Sequence, residues 1–122
     1  MSPETTTEQL LPLPPATLHI LLALADGERH GYSIMTEIAE RTGGETRVGP
    51  GTLYGSIKRM LANGLIDETQ PRRKSPDDDE RRRYYKLTSF GRAVASAEAA
   101  RLDALVRQAR RKRLLTALDT TR

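Results

Sequence analysis

The stretch from Pro50 to Thr88 limits what this chain can fold into more than any other. Pro50-Gly51-Thr52-Leu53-Tyr54 opens a helix, because proline in a first turn gives up no hydrogen bond and its fixed φ already suits the helix. Leu53, Ile57, Met60 and Leu61 then recur at helical spacing as one apolar stripe, which leaves Thr52, Gly55, Ser56, Lys58 and Arg59 on the outer face. Asn63-Gly64 suits a left-handed cap and ends the pattern. Residues 65–69 and 82–88 read as paired strands, the second with Tyr85 and Leu87 on one face and Tyr84 and Lys86 on the other. The connection between them, residues 70–80, carries Pro71, Pro76 and both signs of charge. A short helix followed by a charged ribbon is an arrangement able to grip duplex DNA, with the helix in the major groove and the ribbon beside it.

The flanking sequence completes the expected architecture. Leu18, Ile20, Leu21, Leu22 and Leu24 cover most of a helix circumference, as a central buried helix should, and Asp26-Gly27 closes it. Tyr32, Met35, Ile38 and Ala39 recur at three- and four-residue spacing, with Glu37, Glu40 and Arg41 opposite, until Gly43-Gly44 stops the helix. Upstream, Pro12, Pro14 and Pro15 keep a helix from starting before about Pro15, so residues 1–14 are expected to be a flexible leader. Downstream, Thr88 or Ser89 can cap a last helix from about Phe90 to Leu115, roughly 40 Å long. Its apolar residues Phe90, Val94, Ala97, Leu102, Leu105, Val106 and Ala109 outrun what so small a domain could cover, and a second copy, meeting also Leu18, is the expected cover. The predicted fold is therefore mainly α with a β-hairpin wing: a winged helix-turn-helix over residues 15–88, a dimerisation helix over 89–115 and a tail over 116–122.

Charge points the same way. The net excess of +4 is modest, yet the basic residues cluster at Arg72-Arg73-Lys74, at Arg81-Arg82-Arg83 and between Arg107 and Arg113, which suits a polyanion. Cysteine is absent and no apolar run approaches bilayer length, so the expected location is the cytoplasm. His19 and His30 have no metal-ligand spacing, and no paired carboxylates fall on separate ordered elements. Neither a metal, a cofactor nor an enzyme activity is expected.

In order along the chain, Ile20-Leu21-Leu22-Ala23-Leu24, His30-Gly31-Tyr32, Pro50-Gly51-Thr52-Leu53-Tyr54, Gly64-Leu65-Ile66, Arg83-Tyr84-Tyr85-Lys86-Leu87-Thr88 and Gly91-Arg92 resemble the PadR family of bacterial transcriptional regulators. The resemblance implies an N-terminal winged helix, a C-terminal dimerisation helix and operator binding as a homodimer, here in the smaller subgroup with one short C-terminal helix. Two departures are visible: Gly55 stands where the family often has proline, and Asp77-Asp78-Asp79-Glu80 replaces a glycine-rich wing tip. Without Trp, the family's aromatic drug-binding arrangement has no counterpart.

The residues expected at DNA are Tyr32, Thr52, Tyr54, Gly55, Ser56, Lys58 and Arg59, with Arg72, Arg73, Lys74, Arg81, Arg82 and Arg83 on the wing flanks. Thr52, Ser56 and Lys58 would meet base edges or phosphates, and Gly55 would allow close approach at about 1 kcal/mol of helix stability relative to Ala. Tyr54 reads equally as a phosphate contact and as a half-buried core residue, while His30 reads as a local cap. The acidic wing tip would stay away from phosphates, and the basic C-terminal cluster reads better as a solvated stabiliser of the helix end. Together these give a repressor, acting as a homodimer on a palindromic operator, with room for release by a small hydrophobic effector of unknown identity bound near Leu18–Leu22. The residues alone leave open a nucleic-acid or protein platform without sequence preference.

Overall fold

In the computed structural model, residues 6–69 and 83–116 are described. Among these described residues, five helices and three strands follow in the order α1 (Thr7–Leu10), α2 (Pro15–Leu24), β1 (Arg29–His30), α3 (Gly31–Arg41), α4 (Pro50–Ala62), β2 (Ile66–Thr69), β3 (Tyr84–Leu87) and α5 (Ser89–Arg111). α2 is the hub and packs against α3, α4 and α5. Ile20, Leu21 and Ala23 are fully buried there, with Ile34 and Ile38 from α3, Leu53 from α4 and Val94 from α5 closing around them.

The strands form one antiparallel sheet in the order β1-β3-β2. Ile66 faces Leu87 and Thr69 faces Tyr84 across the hairpin, so Tyr85 turns into the core while Lys86 stays exposed. The outer strand β1 was not visible in the sequence: at two residues it is too short to show an alternation, and it exists because Arg29 and His30 pair with Tyr85 and Tyr84.

α4 and α3 end alike. Gly64, at φ 75°, lets the Leu65 N–H reach the Met60 carbonyl at 2.9 Å, and Gly43, at φ 61°, lets the Gly44 N–H reach the Ala39 carbonyl at 2.7 Å. Both positions need the left-handed backbone that glycine adopts without a Cβ penalty. α5 begins at Thr88, whose oxygen accepts from the Gly91 N–H at 2.8 Å while its hydroxyl donates to the Gly64 carbonyl at 2.6 Å. It stops at Arg111, earlier than Leu115, with Arg113 in the left-handed conformation and the Leu114 N–H bonded to the Ala109 carbonyl.

The N-terminal segment departs from the sequence expectation. A helical turn, α1, precedes the prolines, fixed by a capping box between Thr6 and Gln9. It packs on α5, Leu10 and Leu11 lie against the core, and Leu13 is buried. The prolines do forbid a continuous helix, but they do not prevent a separate turn upstream, and three leucines give that turn something to bury.

Candidate nucleic-acid interface

Helix periodicity sorts α4 into two faces. At about 100° per residue, Leu53, Ser56, Ile57 and Met60 lie on one side, and all four are buried. The opposite side is centred on Gly51, Gly55 and Lys58, with Thr52 and Arg59 along one flank and Tyr54 and Leu61 along the other; Gly55 is half-buried and the rest are exposed. A Cβ on Gly51 would meet nothing within 4 Å, and one on Gly55 would find only the Arg59 guanidinium at 3.7 Å. Nothing in the fold therefore demands glycine at either position, although each lowers helix propensity.

Ser56 is a correction. It was expected on the outer face but is 2 % exposed, because it falls between Leu53 and Met60 on the inward stripe and its small side chain lets α4 sit close to its neighbours. Arg59 lies 3.5 Å from its hydroxyl oxygen. Leu61, counted in the apolar stripe, is instead 36 % exposed.

Tyr54 reaches Gly31 at the start of α3, next to Tyr32 in sequence. The Tyr54 hydroxyl sits close over Gly31, so a Cβ there would push the end of the Tyr54 side chain aside. Both tyrosines are exposed, Tyr32 most of all, whereas periodicity placed Tyr32 on the inner face of α3. Gly31, Ile34 and Ile38 take that inner role. His30 caps α3, its Nδ1 accepting from the Ser33 N–H at 3.2 Å, and its ring meets Tyr84 edge-on at 5.3 Å. Burial raises the Tyr85 phenol above its ordinary value, with Glu68 adding to the effect, so it stays neutral inside the sheet.

Of the wing flanks, Arg83 is exposed and lies 3.5 Å from Glu68. Arg72, Arg73, Lys74, Arg81, Arg82 and the acidic run from Asp77 to Glu80 lie outside the described residues. Two exposed cations were passed over by sequence reasoning. Arg47, on the turn into α4, lines an open groove together with Tyr32, Thr36 and Val48. Lys86 projects from β3 opposite Tyr85. Neither sits in a basic cluster, which is why charge runs did not reveal them.

The second expected surface lies on α5. Leu102 and Leu105 are 37 % and 47 % exposed, and Leu18, Phe90, Ala97, Val106 and Ala109 are half-buried. Val94 is a correction: it is fully buried in the core of the single chain and has no surface to offer a partner. Leu22, on α2, is 42 % exposed.

A helical core, a recognition-type helix after a turn, and a hairpin beside it define a winged helix-turn-helix. Residues 20–97 match the Transcriptional regulator PadR-like family. The chain is 38 % identical over 91 residues to transcriptional regulator Rv3488 of Mycobacterium tuberculosis, covering 75 % of this chain and 78 % of that one. It is 37 % identical over 84 residues to an uncharacterised 37.1 kDa protein from a Streptomyces fradiae transposon, of which it spans 22 %. Its fold superposes on a PadR family regulator from Clostridium difficile with a TM-score of 0.68 at 24 % identity, covering 84 % of this chain and 100 % of that one. Bacillus subtilis PadR in complex with operator DNA superposes with a TM-score of 0.58 at 21 % identity, over 69 % of this chain and 47 % of the other. This chain belongs to the PadR-like family of transcriptional regulators.

Proposed function

We propose that this regulator is a DNA-binding repressor that holds a palindromic operator as a homodimer, in the cytoplasm. The outer face of α4 carries the reading. Gly51 and Gly55 leave it low enough to enter a major groove, and Lys58, Thr52 and Arg59 stand where base edges and phosphates would lie. Tyr32, Tyr54, Arg47, Arg83 and Lys86 are exposed and would serve as backbone contacts. The operator complex of Bacillus subtilis PadR supports the assignment by fold.

The dimer reading rests on α5, where Leu102 and Leu105 form an apolar edge that the described residues leave exposed. A small hydrophobic effector that prefers one dimer geometry would release the operator, and the apolar surface of Leu18 and Leu22 beside α5 is where it would bind. No described helix is long and apolar enough to cross a membrane.

The test is selection from a random pool of duplexes at physiological salt, followed by titration of the selected and a scrambled duplex. The expected result is an inverted repeat bound at least about 10³-fold more tightly than scrambled DNA. Equal affinity for both would leave only a platform without sequence preference.

A further inference from the structure

One fully buried carboxylate has no part in DNA contact. Glu98, in the middle of α5, is 2 % exposed. Its Oε1 accepts from Arg101 Nε at 2.6 Å, and its Oε2 accepts from Arg101 Nη2 and from the Leu13 N–H, each at 3.0 Å. Leu13 stands in Pro12-Leu13-Pro14-Pro15, so its amide is the one main-chain donor that this stretch possesses. The carboxylate takes that donor and fixes the stiffest part of the N-terminal arm to α5, immediately before α2 begins.

A buried carboxylate paired with a part-exposed arginine is a weak source of stability compared with apolar residues of similar size, and leucine at 98 would simply extend the contact made by Val94. Geometry gives the charge a purpose. The first turn of α5 is already anchored: Gly91 abuts the Leu65 carbonyl, Thr88 bonds Gly64, and Arg92 Nη2 donates to the Ala25 carbonyl at 3.0 Å. A helix held at one end can still swing, and a second fixed point sets its direction. Glu98 lies about 10 Å along the axis from Gly91, and Arg111 lies about 30 Å along it, so a displacement at Glu98 grows about threefold at the far end.

We infer that Glu98 is a positioning residue, which fixes the direction of α5 through the Leu13 amide and thereby sets the separation of the two recognition helices on DNA. The inference rests on the dimeric operator reading. It predicts a function for the arm that local packing alone would not have, namely control over half-site spacing.

The experiment uses the full chain and duplexes that the wild-type protein selects from a random pool. Each duplex is remade with its spacer one base pair shorter or longer, and as a single half-site. Wild type is expected to lose at least about fivefold in affinity for either altered spacer. Glu98→Leu keeps the site apolar and filled but removes the acceptor. It is expected to stay dimeric, to bind a single half-site within about twofold of wild type, and to discriminate spacers by no more than about twofold. A folded, dimeric Glu98→Leu protein with wild-type spacer preference overturns the inference, because a merely structural role would change melting and leave spacing alone.

Should Glu98→Leu not fold, Glu98→Gln carries the test, read together with exchange of the Leu13 amide hydrogen. Faster exchange with weakened spacer preference supports the latch, and wild-type exchange with wild-type preference overturns it. A selection that returns no inverted repeat refutes the dimeric operator reading and this role with it, whereas an inverted repeat with unchanged preference refutes the role alone.

Discussion

α4 and α5 are both amphipathic helices with one polar residue turned inward, yet they present opposite surfaces. α4 buries Ser56 and shows glycine, threonine and lysine outward, whereas α5 buries Glu98 and shows Leu102 and Leu105. Their cations differ too. On the α5 side Arg92, Arg101 and Arg107 are engaged with the Ala25 carbonyl, Glu98 and Asp103. Around α4, Lys58 and Arg47 stand exposed. The contrast teaches that amphipathicity alone does not tell what a helix face is for. A low, cationic face suits a polyanion, and an apolar edge suits another copy of itself.

The largest effect should come from placing charge on the apolar edge. Leu102→Asp with Leu105→Asp is expected to weaken self-association at least about 10³-fold, four leucines being lost from each dimer. Sedimentation of the variant checks this, and an unchanged dimer would move the interface elsewhere. Next, Gly91→Ala should destabilise the chain by about 3 kcal/mol, because the new Cβ would press into the Leu65 carbonyl and push α5 off the sheet. Thermal melting measures it, and wild-type stability would mean that α5 is not anchored there.

Lys58→Ala should relax preference at particular operator positions by about 1 to 3 kcal/mol, while Arg47→Ala and Arg83→Ala should weaken all duplexes similarly and flatten the salt dependence. Titrations on selected and scrambled duplexes at several salt concentrations separate the two behaviours. Gly55→Ala sharpens the comparison most, since its two effects have opposite signs. It should stabilise the fold by about 1 kcal/mol and still weaken operator binding, and a gain in stability with no loss of binding would show that the low face is not used.

The smallest effect is one of pH. Hydrogen bonds from Arg101, and after them the Leu13 amide, hold Glu98 below the usual carboxylate range against the opposing effect of burial. A depressed folded value means that stability from this group is complete above the unfolded carboxylate value and is lost as pH falls through it toward the folded one. Acid melting curves of wild type should therefore drop in that window more steeply than those of Glu98→Gln. Parallel curves would mean that Glu98 titrates as it does in the unfolded chain.

Much of the fold was legible because the signals were local. Gly43-Gly44 and Gly64 marked helix ends through backbone freedom, and Thr88 marked the start of α5 through its hydroxyl. What was not legible depended on partners far away in sequence. β1 exists only through its pairing with β3, Tyr32 turned outward because Ile34 took the core position, and Leu13 found Glu98 eighty-five residues on. Ser56 was misread for a related reason: a small polar residue looks solvent-facing until the neighbour that it lets approach is known. On α5, the stripe from Phe90 to Ala109 reads as one surface, but Val94 belongs to the core of the single chain and, of that stripe, the later leucines are left exposed.

The central claim, that α4 reads DNA while α5 joins two copies, meets its most direct test in one binding measurement. Half a helical turn of DNA is inserted between the half-sites of the selected operator, leaving every base within each half unchanged. Two recognition helices related by a two-fold axis should meet successive major grooves roughly 34 to 36 Å apart on one side of the duplex, and the insertion turns one half-site to the far side. Affinity is expected to fall to that of a single half-site. Affinity equal to that of the uninserted operator would contradict the account.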